Sequence, residues 1–320
     1  MAVYLTHQSS LAFWRRWRAQ GRRPPVGARA RPSHADRASA LEILDGARLV
    51  IPGDDHVHVS MPGPVRGRSD RITFHRWPSV PSRGSFVAPA PGVYVAAPEL
   101  AFVEAASFLD LEHLILLGYE LCGRYALHED SPSGFCACDA ATTTAQLNRY
   151  LDRVDGMRGT ARARRAASYV LDNAESPRES AMAVLLTLPY RLGGCALRRP
   201  VLNQSLALSP HQRQRMGRAA FRCDALWPEA SLALEYESDR FHSGEEAFVR
   251  DSKRRNDLRS LGIDVVTMTN DEIRSRQSTN RIADSLARKI GQRRGAVPAG
   301  YIARQERLRR MVLGAERPRA

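Results

Sequence analysis

Phe221-Arg-Cys-Asp-Ala-Leu226, Trp227-Pro-Glu-Ala-Ser231 and Leu232-Ala-Leu-Glu-Tyr-Glu237 form the stretch on which the fold of the C-terminal half turns. The two outer pieces read as strands, and the Pro228-Glu-Ala230 turn between them folds the second back antiparallel on the first. Side chains alternate along a strand, so Glu235 and Glu237 point to one face, and Leu232, Leu234 and Tyr236 to the other, expected to be the core side. Asp224 is expected near the end of its strand, level with Glu235. Two or three carboxylates converging on one sheet edge repel one another unless a proton or cation neutralises them. A hard divalent cation, Mg²⁺ or Mn²⁺, suits such oxygen donors. It would polarise a phosphoryl oxygen and activate water for phosphodiester cleavage.

Working outward, Ser176-Pro-Arg-Glu179 opens a helix to about Leu188, Gly193 to Cys195 make a turn, and Val201 to Leu208 is β-rich. After the two strands, Gly244 to Leu261 is a long amphipathic helix closed by Gly262, and Ile263 to Met268 is a further strand. The order from Ser176 is therefore αβββαβ, an α/β (α+β) class. Asn280 to Leu313 reads as a basic helical tail.

Upstream, a short helix over Ser9 to Ala19 leads into an arginine-rich linker. Arg48 to Ile51, His56 to Val59, Arg71 to His75 and Gly92 to Ala96 are short apolar stretches between Pro and Gly turns. From Pro98 the period becomes helical, with helices at Glu99 to Phe108, Leu111 to Leu121, Thr144 to Val154 and Thr160 to Asn173. The expected parts are 1–40, a basic helix and linker; 41–173, a mixed β-then-helical domain; 174–292, the αβββαβ domain; and 293–320, the tail.

The chain has 320 residues and a formal charge of +14, for which nucleic acid is the natural partner. Nearly all the positive charge is arginine, with lysine only at Lys253 and Lys289, so position matters more than abundance. The charge concentrates in the first ninety residues and after Arg281. No run of eighteen apolar residues suggests a membrane span, and Arg15, Arg16 and Arg18 follow the apolar patch Leu11 to Trp14 in the wrong order for a signal peptide. A cytoplasmic setting is the expectation. Five cysteines, among them Cys136-Ala-Cys138 near Cys122 and His128, match no disulfide framework or four-ligand zinc spacing, and read as ordinary thiols.

Four motifs in order carry a resemblance. Ser176-Pro-Arg-Glu179, Arg222-Cys-Asp224, Glu235-Tyr-Glu-Ser-Asp-Arg-Phe-His242, and Asp251-Ser-Lys-Arg254 followed by Leu258 and Gly262-Ile-Asp-Val-Val266 resemble the motifs of the Vsr-like family. These are PD-(D/E)XK nuclease-like domains related to very-short-patch-repair endonucleases. The resemblance implies a restriction-endonuclease-like core and a metal-dependent DNA endonuclease. Asp224 and Glu235 would bind the metal, with the Tyr236 carbonyl as a further ligand, and Glu179 would approach from the first helix. His242 would act as general acid/base or orient water. Arg222, Lys253 and Arg254 would contact nucleic acid. The usual motif ends in lysine where this chain has Glu237, and Ser238 replaces the usual glycine. More loosely, residues 70–175 are similar to AbiEi-type antitoxins, without a clear helix-turn-helix before Leu49.

Plainer roles stand beside these. Ser176 and Glu179 match a capping box. His242 also suits a surface turn, Asp251 and Arg254 a helical surface pair, and the C-terminal helix a solvated face. The second function class is a non-catalytic, antitoxin-like DNA-binding regulator on a degenerate nuclease scaffold. A homodimer and a toxin partner are compatible with either.

Overall fold

The computed structural model describes residues 2–22, 25, 39–53, 56–61, 69–77, 81–154, 156–217, 219–237 and 256–314. The chain is mixed α/β and divides into two units, Met1–Val170 and Leu171–Ala320.

The first unit is built on a five-stranded mixed sheet: β1 (Val3–Leu5), β2 (Val57–Ser60), β3 (Ile72–His75), β4 (Phe86–Ala90) and β5 (Val93–Ala96). Its order is β3-β2-β1-β5-β4. β1 was not expected, yet it is the central strand, parallel to β5 and antiparallel to β2. Three residues are too few to display an alternating pattern, and all three are buried, so the segment carries no polar face to read. α1 (His7–Ala19) follows and packs on β2 and on α3 (Pro98–Ala105). Trp14 is buried in that packing, and its indole N–H donates to the Ala96 carbonyl at 2.8 Å.

Arg48 to Ile51 is not a strand. Ser39 and Glu42 form a complete capping box that starts α2 (Ala40–Arg48), and Leu49 is left exposed at its end. α4 (Leu111–Cys122), the hairpin β6 (Tyr125–Leu127) and β7 (Phe135–Ala137), α5 (Thr144–Arg153) and α6 (Thr160–Ala167) complete the unit. Two of its N-terminal arginines serve the fold. Arg18 is 5% exposed and donates to the carbonyls of Asp139, Glu120, Gly123 and Tyr125. Arg15 forms a two-pronged pair with the Glu120 carboxylate at 2.8 Å.

In the second unit α7 (Pro177–Thr187) precedes β8 (Val201–Ala207), α8 (Pro210–Met216), β9 (Ala220–Trp227) and β10 (Leu232–Glu237). Residues 256–260 are helical, and β11 (Asp264–Thr269), α9 (Asn270–Arg274), α10 (Arg276–Lys289) and α11 (Tyr301–Leu313) follow. The sheet order is β11-β10-β9-β8, with β10–β11 parallel and the other pairs antiparallel. The strands lie within a residue or two of the expected stretches; α8, with its own Ser209–Gln212 capping box, was not expected.

Both faces of β10 are covered, because Leu232, Ala233, Leu234 and Glu235 are all buried. Ala233 joins an apolar cluster with Leu226, Phe221, Cys223, Leu258 and Val265. The leucine face is thus not the sole core side. The C-terminal segment is likewise no single solvated tail. It breaks into α10 and α11, and α11 packs on α7 through Tyr301, Gln305, Leu308 and Arg309, all buried. Two of those four are polar, which disguised the buried stripe. Gln305 meets Asn280, and Arg309 meets Thr279 and the Ile273 carbonyl. Gly193 permits this docking: it has φ +89, and a Cβ there would lie 2.5 Å from the Arg304 carbonyl oxygen.

Candidate functional site

Asp224 lies in the middle of β9 rather than at its end, at the point where pairing with β10 stops. β10 pairs with residues 225–227, while β8 pairs along the strand. One step beyond Leu234↔Ala225 in the same register, Glu235 stands opposite Asp224. The Asp224 carboxylate accepts the Tyr236 backbone N–H at 2.7 Å, which pins the two strands together where the ladder ends. Glu235 is 6% exposed, so its carboxylate is held away from bulk water. Glu237 is half-buried, two residues further along the same face, in register with Thr269. Tyr236 is half-buried, and its hydroxyl donates to the Asn270 side chain at 3.0 Å, tying β10 to α9.

Glu179 comes to this group from the first turn of α7. Its N–H is capped by Ser176 Oγ at 3.1 Å, while its carboxylate takes the Glu175 N–H at 2.9 Å and the Ser176 hydroxyl at 3.0 Å. The capping box is incomplete: Ser176 caps the helix, but the Glu179 carboxylate takes the backbone N–H of Glu175 rather than that of Ser176. Burial and the neighbouring Asp224 charge push Glu179 up to about 7, against hydrogen bonds from Asn203 and Ser176 that favour the ionised form.

Among the described residues, no group of three or more His, Cys, Asp or Glu side chains is gathered so as to hold a metal ion. The expected convergence of three acids is thus not seen there: register brings Asp224 and Glu235 together, and charge couples Asp224 to Glu179. Arg222, expected on nucleic acid, pairs with Glu175. His242, Asp251, Lys253 and Arg254 lie outside the described residues.

Asn203 is a site residue that the sequence reading missed. Leu202↔Ala225 and Gln204↔Cys223 leave it facing Asp224 across the β8–β9 ladder. Its amide donates to Glu179 Oε2 at 2.5 Å and to the Asn173 carbonyl at 2.9 Å. Its only sequence signal is an asparagine inside an otherwise strand-like stretch, where asparagine is disfavoured.

A second cluster, also unanticipated, lies in the first unit. His7 stacks on His75 with ring centroids 3.5 Å apart, and His58 Nδ1 meets His75 Nε2 at 3.0 Å. Beneath them Glu104, 4% exposed, accepts the His7 backbone N–H at 3.0 Å and the Trp77 indole N–H at 3.4 Å. Burial pushes Glu104 up to about 7. Burial and mutual proximity hold His7 down to about 3 and His75 to about 4. His7 adopts a left-handed φ of +51, an uncommon conformation that its neighbours must hold in place. The cysteines are free thiols, with Cys122, Cys195 and Cys223 buried.

No family model matches the chain. It is similar to an uncharacterized protein of Mycobacterium tuberculosis strain CDC 1551 / Oshkosh, with 30% identity over 170 residues, 52% of this chain and 57% of that protein. An uncharacterized protein of strain ATCC 25618 / H37Rv matches equally, at 30% identity over the same shares. The chain thus spans a little over half the length of these curated relatives. No solved structure matches it. Among the described residues, no helix is long and apolar enough to cross a membrane.

Proposed function

We propose that the second unit is a restriction-endonuclease-like domain of the PD-(D/E)XK kind, acting as a metal-dependent DNA endonuclease. The observation that supports this reading is the β9–β10 register, which continued one step beyond Leu234↔Ala225 sets Glu235 level with Asp224, while the Asp224 charge acts on Glu179 of α7. The succession of α7, β8, α8, β9, β10, the helical residues 256–260 and β11 supports the same core, with α8 added between its first two strands.

The donors suit a hard divalent ion. They are carboxylates, and burial, with the Asp224 charge adding to it, raises Glu179 to about 7. Asp224 and Glu235 would hold Mg²⁺ or Mn²⁺, which supplies Lewis-acid polarisation of a phosphoryl oxygen and a more acidic bound water. The chain's own contributions are positional. Tyr236 N–H orients the Asp224 carboxylate, and Ser176 and the Glu175 N–H orient that of Glu179. Glu179 is held above the ordinary carboxylate range by burial and the Asp224 charge, so a proton can reside on its carboxylate.

The second reading, a non-catalytic antitoxin-like DNA-binding regulator, is favoured by Glu237 in the position where the usual motif has lysine. Incubation with plasmid DNA and Mg²⁺ or Mn²⁺ separates the two. Metal-dependent nicking lost in Asp224→Asn and Glu235→Gln supports the nuclease. DNA binding without cleavage, unchanged in both variants, refutes it in favour of the regulator.

A further inference from the structure

Among the described residues β3 is an edge strand of the first sheet, and His75 is its last residue. The parallel pairs His58↔Thr73 and Ser60↔His75 put the His58 and His75 rings on one face, with His58 Nδ1 and His75 Nε2 3.0 Å apart. The His75 ring also lies flat against that of His7, the first residue of α1, with 10° between the planes and 3.5 Å between centroids. Neither contact tolerates a second charge. A hydrogen bond between two ring nitrogens needs one of them bare, so His58 and His75 cannot both be imidazolium while it lasts. Two rings at stacking distance admit no water between them, so imidazolium charges on both would face one another unscreened.

The surroundings supply no lasting compensation. His56 of β2 meets His58 edge-on at 5.3 Å, and α1 presents only the Ser9 and Ser10 hydroxyls, bonded to the His58 N–H and the His7 carbonyl. Arg76, next to His75 in the chain, is exposed. Glu104 of α3 places Oε2 3.8 Å from His7 Nδ1, but burial holds it up at about 7, so it takes up its own proton first as pH falls.

We propose that the His7–His58–His75 stack is an acid-released latch: neutral rings hold the end of β3 against the start of α1, and protonated rings let that end lift while the first unit stays folded. This is independent of the endonuclease reading. Burial and the neighbouring His58 hold His75 down to about 4, and a freed ring returns to the ordinary 6.5. The latch is therefore shut above 6.5 and weakens as pH falls toward 4. For His75 alone, opening becomes about 20-fold more favourable at pH 5 than at pH 7.

The test is amide hydrogen exchange of the full chain at pH 7 and pH 5, each rate divided by the intrinsic rate at that pH. Residues 72–77 should open about 20-fold more readily at pH 5, while the amides of α4 in the same unit stay protected. His75→Phe keeps a flat ring against His7 and takes no proton, so its residues 72–77 should exchange alike at both pH values. His7→Asn suits the left-handed backbone but removes the stacked ring, so exchange there should be faster at pH 7 and gain little more at pH 5. Glu104→Gln should keep the acid response, because that carboxyl titrates in the opposite sense.

If residues 72–77 and α4 exchange together at both pH values, the unit opens only as a whole and the latch is overturned. An undiminished acid response in His75→Phe overturns it by placing the titrating group elsewhere, and loss of the response in Glu104→Gln assigns it to the carboxyl instead. Imidazole NMR of the wild type needs no substitution: His75 titrating at the ordinary 6.5 refutes the neutral stack.

Discussion

Replacing Glu104 by glutamine tests the electrostatics of the first unit. Glu104 is buried on α3, and burial raises it from the ordinary 4.5 to about 7, while hydrogen bonds from His7 and Trp77 pull it the other way. A carboxyl whose folded pKa lies above its unfolded one favours folding at low pH, and that advantage is lost as pH rises through the folded value. The window here runs from about 4.5 to about 7. Above it, keeping the ionised group buried costs the folded state about 3 kcal/mol, from roughly 1.4 kcal/mol per pH unit of separation. At pH 5.5 the same linkage gives about 1.4 kcal/mol, so the disadvantage grows by about 2 kcal/mol between pH 5.5 and 8.5. Glutamine has nearly the same shape and still offers one oxygen to the His7 N–H, but it never ionises. Glu104→Gln should therefore gain about 2 kcal/mol over wild type between those pH values, raising the relevant melting transition by roughly 4–8 °C more at pH 8.5 than at 5.5. Calorimetric melting of both proteins at the two pH values measures this. A melting difference independent of pH, or one that turns against glutamine at pH 8.5, would refute the buried, protonation-prone Glu104.

The imidazoles act in the opposite sense. His7 and His75 are depressed to about 3 and about 4, so the unfolded chain takes up protons first and stability falls as pH drops below 6.5 toward those values. His75→Gln should flatten denaturant-derived stability against pH between 6 and 4.5 by roughly 1 kcal/mol per pH unit; a slope equal to wild type contradicts the assignment. Arg18→Ala strands four carbonyls that now share one buried guanidinium, and should cost about 3 kcal/mol or more in urea unfolding, with Arg18→Lys rescuing little because an ammonium lacks the planar fork. Loss below about 1 kcal/mol would mean that water replaces those bonds.

Elements whose signal is local were legible. The alternation over Leu232–Glu237, the Pro turn before it and the Ser176 cap place β10 and α7 by period and capping alone. The antiparallel return of β10 on β9 also followed, because a hairpin with a short turn fixes its own register. Arg48–Ile51 misled, since a short apolar run suits a strand or a helix end equally, and the Ser39–Glu42 box decided for the helix. The histidines share no local pattern: His58 and His75 meet because β2 pairs with β3, and His7 joins them because β1, just before it, pairs with β2.

By itself, then, the sequence determined the α/β class of the second unit, the strand carrying Glu235 and the face it shares with Glu237. Those properties depend on residues a few positions apart, through the two-residue period of a strand and the capping of a helix turn. Only the tertiary structure decided that Val3–Leu5 is a central strand, that α11 is docked rather than free, and that Asn203 bonds to Glu179. Each of these depends on a partner far away in the chain. Burial and charge at such contacts arise from the packed arrangement, and no local pattern encodes which distant segment will supply the other half.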